Sequence, residues 1–84
     1  MKYLKTAKYI KDYIIQVKFS DGEEFVIDLK DHLTGGIFEA LKDKKVFSNF
    51  ELHPDLETIV WKNGADLAPE FLYQLGQSQV KMLA

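Results

Sequence analysis

The chain contains no cysteine and no long apolar run, and each absence excludes a class of protein. Without cysteine there are no disulfides, no thiolate metal ligands and no cysteine nucleophile. No segment approaches the roughly 18 apolar residues that a membrane-spanning helix needs, and the N-terminus lacks the apolar core of a signal peptide. We therefore expect a cytoplasmic protein with no membrane partner.

Motifs for catalysis and cofactor binding are also missing. The sequence has no Gly-x-Ser-x-Gly, no phosphate-binding Gly-Lys-Ser/Thr and no dinucleotide fingerprint. Histidine is scarce, because only His32 and His53 are present, and their positions show no metal-ligand spacing. We interpret them as surface or turn residues rather than as metal ligands. The sequence thus predicts no cofactor and no enzyme activity.

Charge is distributed unevenly along the 84 residues. The first twelve carry four lysines and one aspartate, a charge of +3, whereas the whole chain has a net charge of −2. A nucleic-acid surface normally needs a basic face, so nucleic acid is an unfavourable partner for this chain. The four lysines form no clean helical stripe, and we expect them to guard the solvated edge of a β-strand. They are Lys2, Lys5, Lys8 and Lys11.

Two runs of alternating apolar and polar residues, on either side of Asp21-Gly22, predict a β-hairpin. A two-residue loop at Asp21-Gly22 would place the two apolar rows on opposite faces of the hairpin. A three-residue loop that also includes Ser20, with Gly22 in the left-handed conformation, puts both rows on one face. The three-residue loop is therefore predicted, and it pairs Val17 with Phe25.

The rest of the sequence predicts shorter elements separated by turn residues. They are a helix over residues 37–42, a hairpin of strands 50–53 and 58–61, and a helix over residues 69–75. Pro69 suits the first position of the last helix and Gly76 suits its end. Residues 77–84 then either continue that helix or form a frayed tail. The sum is one α+β domain over residues 1–84, with a small antiparallel sheet of four or five strands and two short helices.

The most distinctive segment is residues 58–73, which contain the only tryptophan, an Asn-Gly turn, an isolated aspartate and a Pro-started helix. Its candidate interaction residues are Trp61, Asn63, Gly64, Asp66, Glu70 and Tyr73. Asp66 and Glu70 would lie near one rim, where two carboxylates can act as acid and base. We favour structural roles instead, in which Asp66 accepts from backbone donors ahead of the helix and Glu70 stabilises the helix N-terminus. In the same interpretation, Trp61 and Tyr73 fill the core or its rim.

Two stretches stand out beside Phe38, Leu41 and Phe47: Phe19-Ser-Asp-Gly22 with the following Val26-Ile-Asp-Leu29, and Ile59-Val-Trp-Lys-Asn-Gly-Ala-Asp-Leu67 followed by Pro69-Glu-Phe-Leu-Tyr73. Together they resemble the bacterial domain-of-unknown-function 2442 family. The resemblance implies an α+β domain without an assigned activity. In this family some relatives carry an added helix-turn-helix domain, and some are encoded beside other small proteins in arrangements suggestive of toxin–antitoxin pairs. The chain stops at Ala84, before any such domain, so the resemblance implies no DNA-reading role for it.

We therefore predict a small protein-interaction module, the antitoxin-like or regulatory half of a two-protein system, with another protein as its partner. A strand edge guarded only by lysine also predicts a homodimer. The alternative is a small-molecule-binding or catalytic domain that uses Asp66 and Glu70. A cavity of roughly 300 Å³ or more, lined by Trp61 and both carboxylates, would favour that alternative. An exposed apolar patch or a paired sheet edge would favour the interaction module.

Overall fold

The computed structural model describes residues 2–83, with side chains described as far as Val80. Within this range it contains β1 (Leu4–Lys11), β2 (Ile14–Phe19), β3 (Glu24–Asp28), two 3-10 helices (Lys30–His32 and Gly36–Lys42), α1 (Lys44–Phe47), β4 (Glu51–His53), β5 (Thr58–Val60) and α2 (Pro69–Leu83). The α+β class and the antiparallel pairing predicted from the sequence are confirmed. In the described range, no helix is long and apolar enough to cross a bilayer.

The strands form two sheets, one of order β1-β2-β3 and one of β4-β5, so the prediction of a single sheet of four or five strands is wrong. Residues 30–47 fold mainly into short helical turns between the two sheets along the chain. The second hairpin meets β1 through one backbone hydrogen bond, from the Leu4 N–H to the Glu57 carbonyl at 3.0 Å. No ladder follows this bond in the described residues, and the two sheets remain separate.

The first hairpin has the register that the apolar rows predict. Val17 lies opposite Phe25, and the Phe19 N–H donates to the Glu23 carbonyl at 2.8 Å. Gly22 has φ of 90° and donates its N–H to the Phe19 carbonyl at 3.0 Å, which closes the three-residue loop. The predicted loop length and the left-handed glycine are therefore confirmed.

One core of buried side chains joins both sheets, the short helices and α2. Its largest fully buried members are Trp61, Phe19, Phe47, Ile15, Ile27, Leu29, Leu33, Leu41, Ile59, Leu72 and Val17. The apolar face of β2 and β3 supplies one side of this core, as the alternation predicts. The opposite face of the three-stranded sheet is left toward solvent.

Helix α2 begins at Pro69, as predicted, but it does not end at Gly76 and continues to Leu83. Gly76 is buried, and a Cβ at this position would lie 2.5 Å from the Cγ atom of Phe25. Gly76 therefore allows a close approach of α2 to β3 instead of ending the helix. The predicted frayed tail is helical over residues 77–83, and Ala84 lies outside the described residues.

Candidate functional site

The structure does not gather the predicted candidate residues into one site. Trp61 is buried, and its indole N–H donates to the Phe47 carbonyl at 2.8 Å. The hollow beside Trp61 has a volume of about 80 Å³, and neither Asp66 nor Glu70 lines it. Trp61 is thus a core residue, and the larger cavity required by the carboxylate-pair alternative is not formed around it.

Asp66 and Glu70 both expose their side chains but occupy different settings. The backbone of Asp66 forms an isolated antiparallel bridge with Val60, while its carboxylate makes no hydrogen bond within residues 2–83. The prediction that the Asp66 side chain anchors the approach to the helix is therefore wrong, because the backbone bridge makes the connection. Glu70 lies in the first turn of α2, where a negative charge is favourable.

The Asn63-Gly64 turn repeats the geometry of the first hairpin loop. The Trp61 N–H donates to the Ala65 carbonyl at 2.9 Å, and the Gly64 N–H donates to the Trp61 carbonyl at 2.9 Å. Gly64 has φ of 91°, and the Asn63 Oδ1 atom accepts from the Ala65 N–H at 3.1 Å. The Asn63 amide also donates to the Ile37 carbonyl at 3.1 Å. Asn63 and Gly64 therefore shape the turn and tie it to the 3-10 helix that contains Ile37.

Tyr73 ties α2 to the tip of the first hairpin. Its hydroxyl donates to the Asp21 Oδ2 atom at 2.9 Å, its ring packs edge-on against Phe25, and the Lys2 Nζ atom lies 3.9 Å from the ring centroid. The N–H of Glu23, which donates to the Asp21 carboxylate, is the main cause that holds the pKa of Asp21 below its usual value. The bond to Asp21 in turn raises the pKa of the Tyr73 hydroxyl.

The two histidines lie on a turn and on the surface, as predicted. The Nδ1 atom of His53 accepts from the N–H groups of Asp55 and Leu56, at 3.1 and 3.2 Å, and this stabilises the turn between β4 and β5. His32 is exposed and packs edge-on against Phe71. Within residues 2–83, no group of three histidine or acidic side chains is placed to hold a metal ion.

Helix α2 closes one edge of the three-stranded sheet. The Gln79 Oε1 atom accepts from the Asp28 N–H at 2.9 Å, and its Nε2 atom donates to the Asp28 carbonyl at 2.8 Å. A strand residue pairing with Asp28 would offer the same donor and acceptor. With Gly76 packed on Phe25, the helix thus lies against β3 and its outer edge, which is one way that proteins protect an edge strand.

At the other edge of the sheet, β1 has outward backbone groups in its middle, beyond the bond that its first residue, Leu4, makes with Glu57. The backbone groups of successive residues in a strand point to opposite sides. In β2 the Phe19 N–H points toward β3, so the N–H and C=O of Gln16, three residues earlier, point toward β1, where Gln16 pairs with Lys8. Ala7 and Tyr9, the neighbours of Lys8, therefore direct their N–H and C=O groups away from the sheet. No hydrogen bond joins these four groups to a described backbone group or to a side chain of residues 2–80.

Lysine side chains surround this open edge. Lys5, Lys8 and Lys11 are exposed on β1, which confirms the predicted lysine-edged strand for these three, whereas Lys2 precedes β1 and packs over the Tyr73 ring. Both ion pairs among the described residues use other lysines, Lys42 and Lys44. The edge lysines are therefore charged groups without an ion-pair partner in the described part of the chain.

The residues that distinguish the two edges are not evident in the sequence. The sequence predicts a helix end at Gly76 and assigns no role to Gln79. A usable signal was their spacing, because residues three apart lie on one helix face, and a glycine with a polar amide on that face suits close approach to a strand edge. The alternation of backbone groups in β2 also shows which residues of β1 direct their N–H and C=O groups away from the sheet, and Ala7 is one of them.

A groove lies between the second half of α2 and the solvent-facing side of β2 and β3. Its volume is about 600 Å³, and its apolar lining consists of Ile14, Val26, Leu75 and Val80. Val26 and Val80 are 56% and 54% exposed. Asp28 and Asp31 also border the groove. The protein thus has an exposed apolar surface in addition to the open strand edge.

Comparison with curated proteins and with solved structures finds no significant match. A family model described as "Protein of unknown function (DUF2442)" matches residues 4–78. The match runs from the start of β1 into the second half of α2, so it includes both edges of the three-stranded sheet. The chain belongs to the DUF2442 family of proteins of unknown function.

Proposed function

We propose that this protein is a protein-interaction module in which a strand from another protein molecule adds to the open edge of β1. The observation that carries the proposal is that Ala7 and Tyr9 have outward backbone groups without a partner among the described residues, whereas α2 occupies the outward groups of Asp28 at the opposite edge. In strand addition, main-chain hydrogen bonds supply affinity and alternate side chains supply specificity. A partner strand would form an antiparallel or parallel ladder with Ala7 and Tyr9.

The surroundings of β1 offer places for the partner's side chains. A hollow of about 460 Å³ lies between the start of β1 and the second hairpin, and its lining includes Leu4, Lys5, Leu52 and His53. Tyr9 is 37% exposed and packs edge-on against Phe47 at the core-facing side of the strand. An added strand would place alternate side chains beside these groups and on the solvent-facing side near Lys8.

The homodimer expected from the sequence would use the same edge, with a second copy supplying the strand. An antitoxin-like or regulatory role, which the family resemblance implies, would instead use the edge to hold a different protein. Light scattering at tens of micromolar distinguishes these cases. A mass near 9.7 kDa means that the edge is free in the isolated protein, and twice that mass, returned to 9.7 kDa by Ala7→Pro, means that the edge is paired with a second copy.

A matched pair of proline variants tests whether β1 is the binding element. Proline at Ala7 removes an outward N–H without removing a bond of the sheet, which is the setting in which strands tolerate proline. Val26 lies opposite Gln16 in β3, so its N–H also points away from the sheet, and Val26→Pro makes the same change at the other edge.

The experiment captures partners with tagged protein from the cells that encode it and identifies them by mass spectrometry. We expect the wild type and Val26→Pro to capture the same partner and Ala7→Pro to lose it, with circular dichroism showing that both variants fold. Undiminished capture by folded Ala7→Pro would contradict the proposed function.

A further inference from the structure

We propose that the strand received by β1 carries acidic side chains, so that the partner is an extended acidic segment of a different protein. The inference rests on the proposed function of the β1 edge and adds the chemistry of the partner. Three features carry it: the charge of the edge, the lack of acidic neighbours that neutralise it, and the inability of a second copy to supply an acidic strand.

The sheet itself does not neutralise the lysines of β1. On β2, the residue opposite Lys8 is Gln16, and the residue opposite Thr6 is another lysine, Lys18. Lys18 in turn lies opposite Glu24 on its other side, which gives that lysine an acidic neighbour within the sheet. The lysines of the open edge have no such neighbour across the ladder.

Acidic groups at the two ends of β1 are also unable to neutralise the edge. The Asp12 carboxylate is held by the Lys44 Nζ atom at 3.1 Å. Glu57 borders the same hollow as Lys5 but forms no ion pair with it. Glu24 borders the same hollow as Lys8 but likewise forms no ion pair with it, so an incoming carboxylate beside Lys5, Lys8 or Lys11 would give these side chains their first ion pair in the described part of the chain.

A second copy of this chain is a poor occupant of the edge. A symmetric antiparallel pair that bonds through the outward groups of β1 places Ala7 opposite Ala7, Lys8 opposite Lys8 or Tyr9 opposite Tyr9. The Lys8 register sets like charges directly opposite each other, which is destabilising, and the other two registers place the Lys8 side chains of both copies at diagonal positions on adjoining strands. The acidic strand β3 is hindered as a partner strand at its Asp28 end, because the Gln79 side chain already occupies the outward backbone groups of Asp28.

The lysines thus oppose self-pairing and favour a strand of opposite charge. Lysine on an edge strand is a common device against aggregation, and here the same charges also select among possible partners. Because the edge is exposed, the charge contribution should weaken as ionic strength rises.

The test uses the full chain and three labelled peptides of equal length that alternate threonine with glutamate, glutamine or lysine. Fluorescence anisotropy gives their dissociation constants at low salt and at 300 mM salt. We expect the glutamate peptide to bind at least about tenfold more tightly than the glutamine peptide, with the lysine peptide weakest, and the difference to shrink at high salt.

Two triple variants assign the preference to the edge. The first replaces Lys5, Lys8 and Lys11 by glutamine, and the second makes the same change at Lys30, Lys45 and Lys62, which are exposed lysines outside β1. Both change the net charge equally. We expect the first variant to bind the glutamate and glutamine peptides alike, and the second to retain the wild-type preference. Equal loss in both variants would overturn the assignment to the β1 lysines.

The outcomes separate this inference from the function on which it rests. If all three peptides bind equally and Ala7→Pro abolishes their binding, strand addition stands and the acidic preference is wrong. If none of the peptides binds, both are contradicted. If light scattering instead shows a dimer that Ala7→Pro dissociates, the occupant is a second copy, and the acidic partner is again excluded.

Discussion

The two edges of the three-stranded sheet are protected by different means. Along β3, helix α2 packs on Phe25 through Gly76 and bonds the backbone of Asp28 through Gln79. Along β1, lysine side chains are the protection, and the backbone of Ala7 and Tyr9 stays free. The helix occupies the outward groups of Asp28 whatever the charge of an incoming strand, whereas lysines disfavour only partners of the same sign. This difference is the basis for our proposal that β1 is the edge that binds selectively.

The largest expected effect comes from disturbing the closed edge at Gly76. In Gly76→Ala, the new Cβ would meet the Phe25 ring at 2.5 Å, and the resulting overpacking should lower the free energy of unfolding by about 2 to 3 kcal/mol. Alanine is the better helix former, so a variant at least as stable as the wild type in urea denaturation would contradict the close contact. Gln74→Ala, on an exposed position of the same helix, is the control.

A pair of proline variants in β1 tests which of its backbone groups are free. Lys8→Pro removes a donor to β2, whereas Ala7→Pro removes an N–H that points outward. We expect Lys8→Pro to be less stable than Ala7→Pro by about 1 to 2 kcal/mol. Equal thermal stability of the two variants would mean that the assigned alternation in β1 is wrong.

Removal of the Gln79 side chain should partly open the closed edge. Gln79→Ala loses both bonds to Asp28, and water replaces part of their contribution, so we expect a loss of about 1 kcal/mol. The exchange of the Asp28 amide hydrogen should become faster, while the exposed variant Gln77→Ala leaves it unchanged. An Asp28 amide that stays equally protected in Gln79→Ala would show that another group closes this edge.

The smallest effect concerns pH and the Asp21–Tyr73 bond at the hairpin tip. The pKa of Asp21 is lowered in the folded protein, chiefly by the Glu23 N–H, so the charged form stabilises the fold above the unfolded pKa of about 3.9. This stabilisation is lost as pH falls through the lowered folded value. Asp21→Asn should therefore lose less stability than the wild type in melts below about pH 4. If Asp31→Asn flattens the acid dependence as much as Asp21→Asn does, the effect is not specific to Asp21.

Local rules predicted much of the fold. Alternation gave the register of the first hairpin, because a shift by one residue would have turned the apolar row of Val17 and Phe25 to solvent. The helix-forming chemistry of proline predicted the start of α2 at Pro69, and the lack of a helical stripe among the first twelve residues favoured a lysine-edged strand.

The remaining features depend on contacts between distant residues. The strands form two sheets because of the way the two hairpins pack around the core. A local sequence pattern does not indicate this packing. In the sequence, Gly76 is indistinguishable from a glycine that ends a helix. Its role in allowing α2 to pack closely on β3 is visible only from its contact with Phe25. Asp66 was assigned a side-chain bond, but the backbone bridge to Val60 already fixes its position.

The most direct test of the two-edge account is residue-resolved amide hydrogen exchange, with and without the glutamate–threonine peptide. In the free protein, the amides of Ala7 and Tyr9 should exchange rapidly while that of Lys8 is protected by its bond to β2. Bound peptide should protect Ala7 and Tyr9 and leave Val26 unchanged. Protection of Val26 in place of Ala7 and Tyr9, or no change at any of the three, would contradict the assignment of β1 as the binding edge.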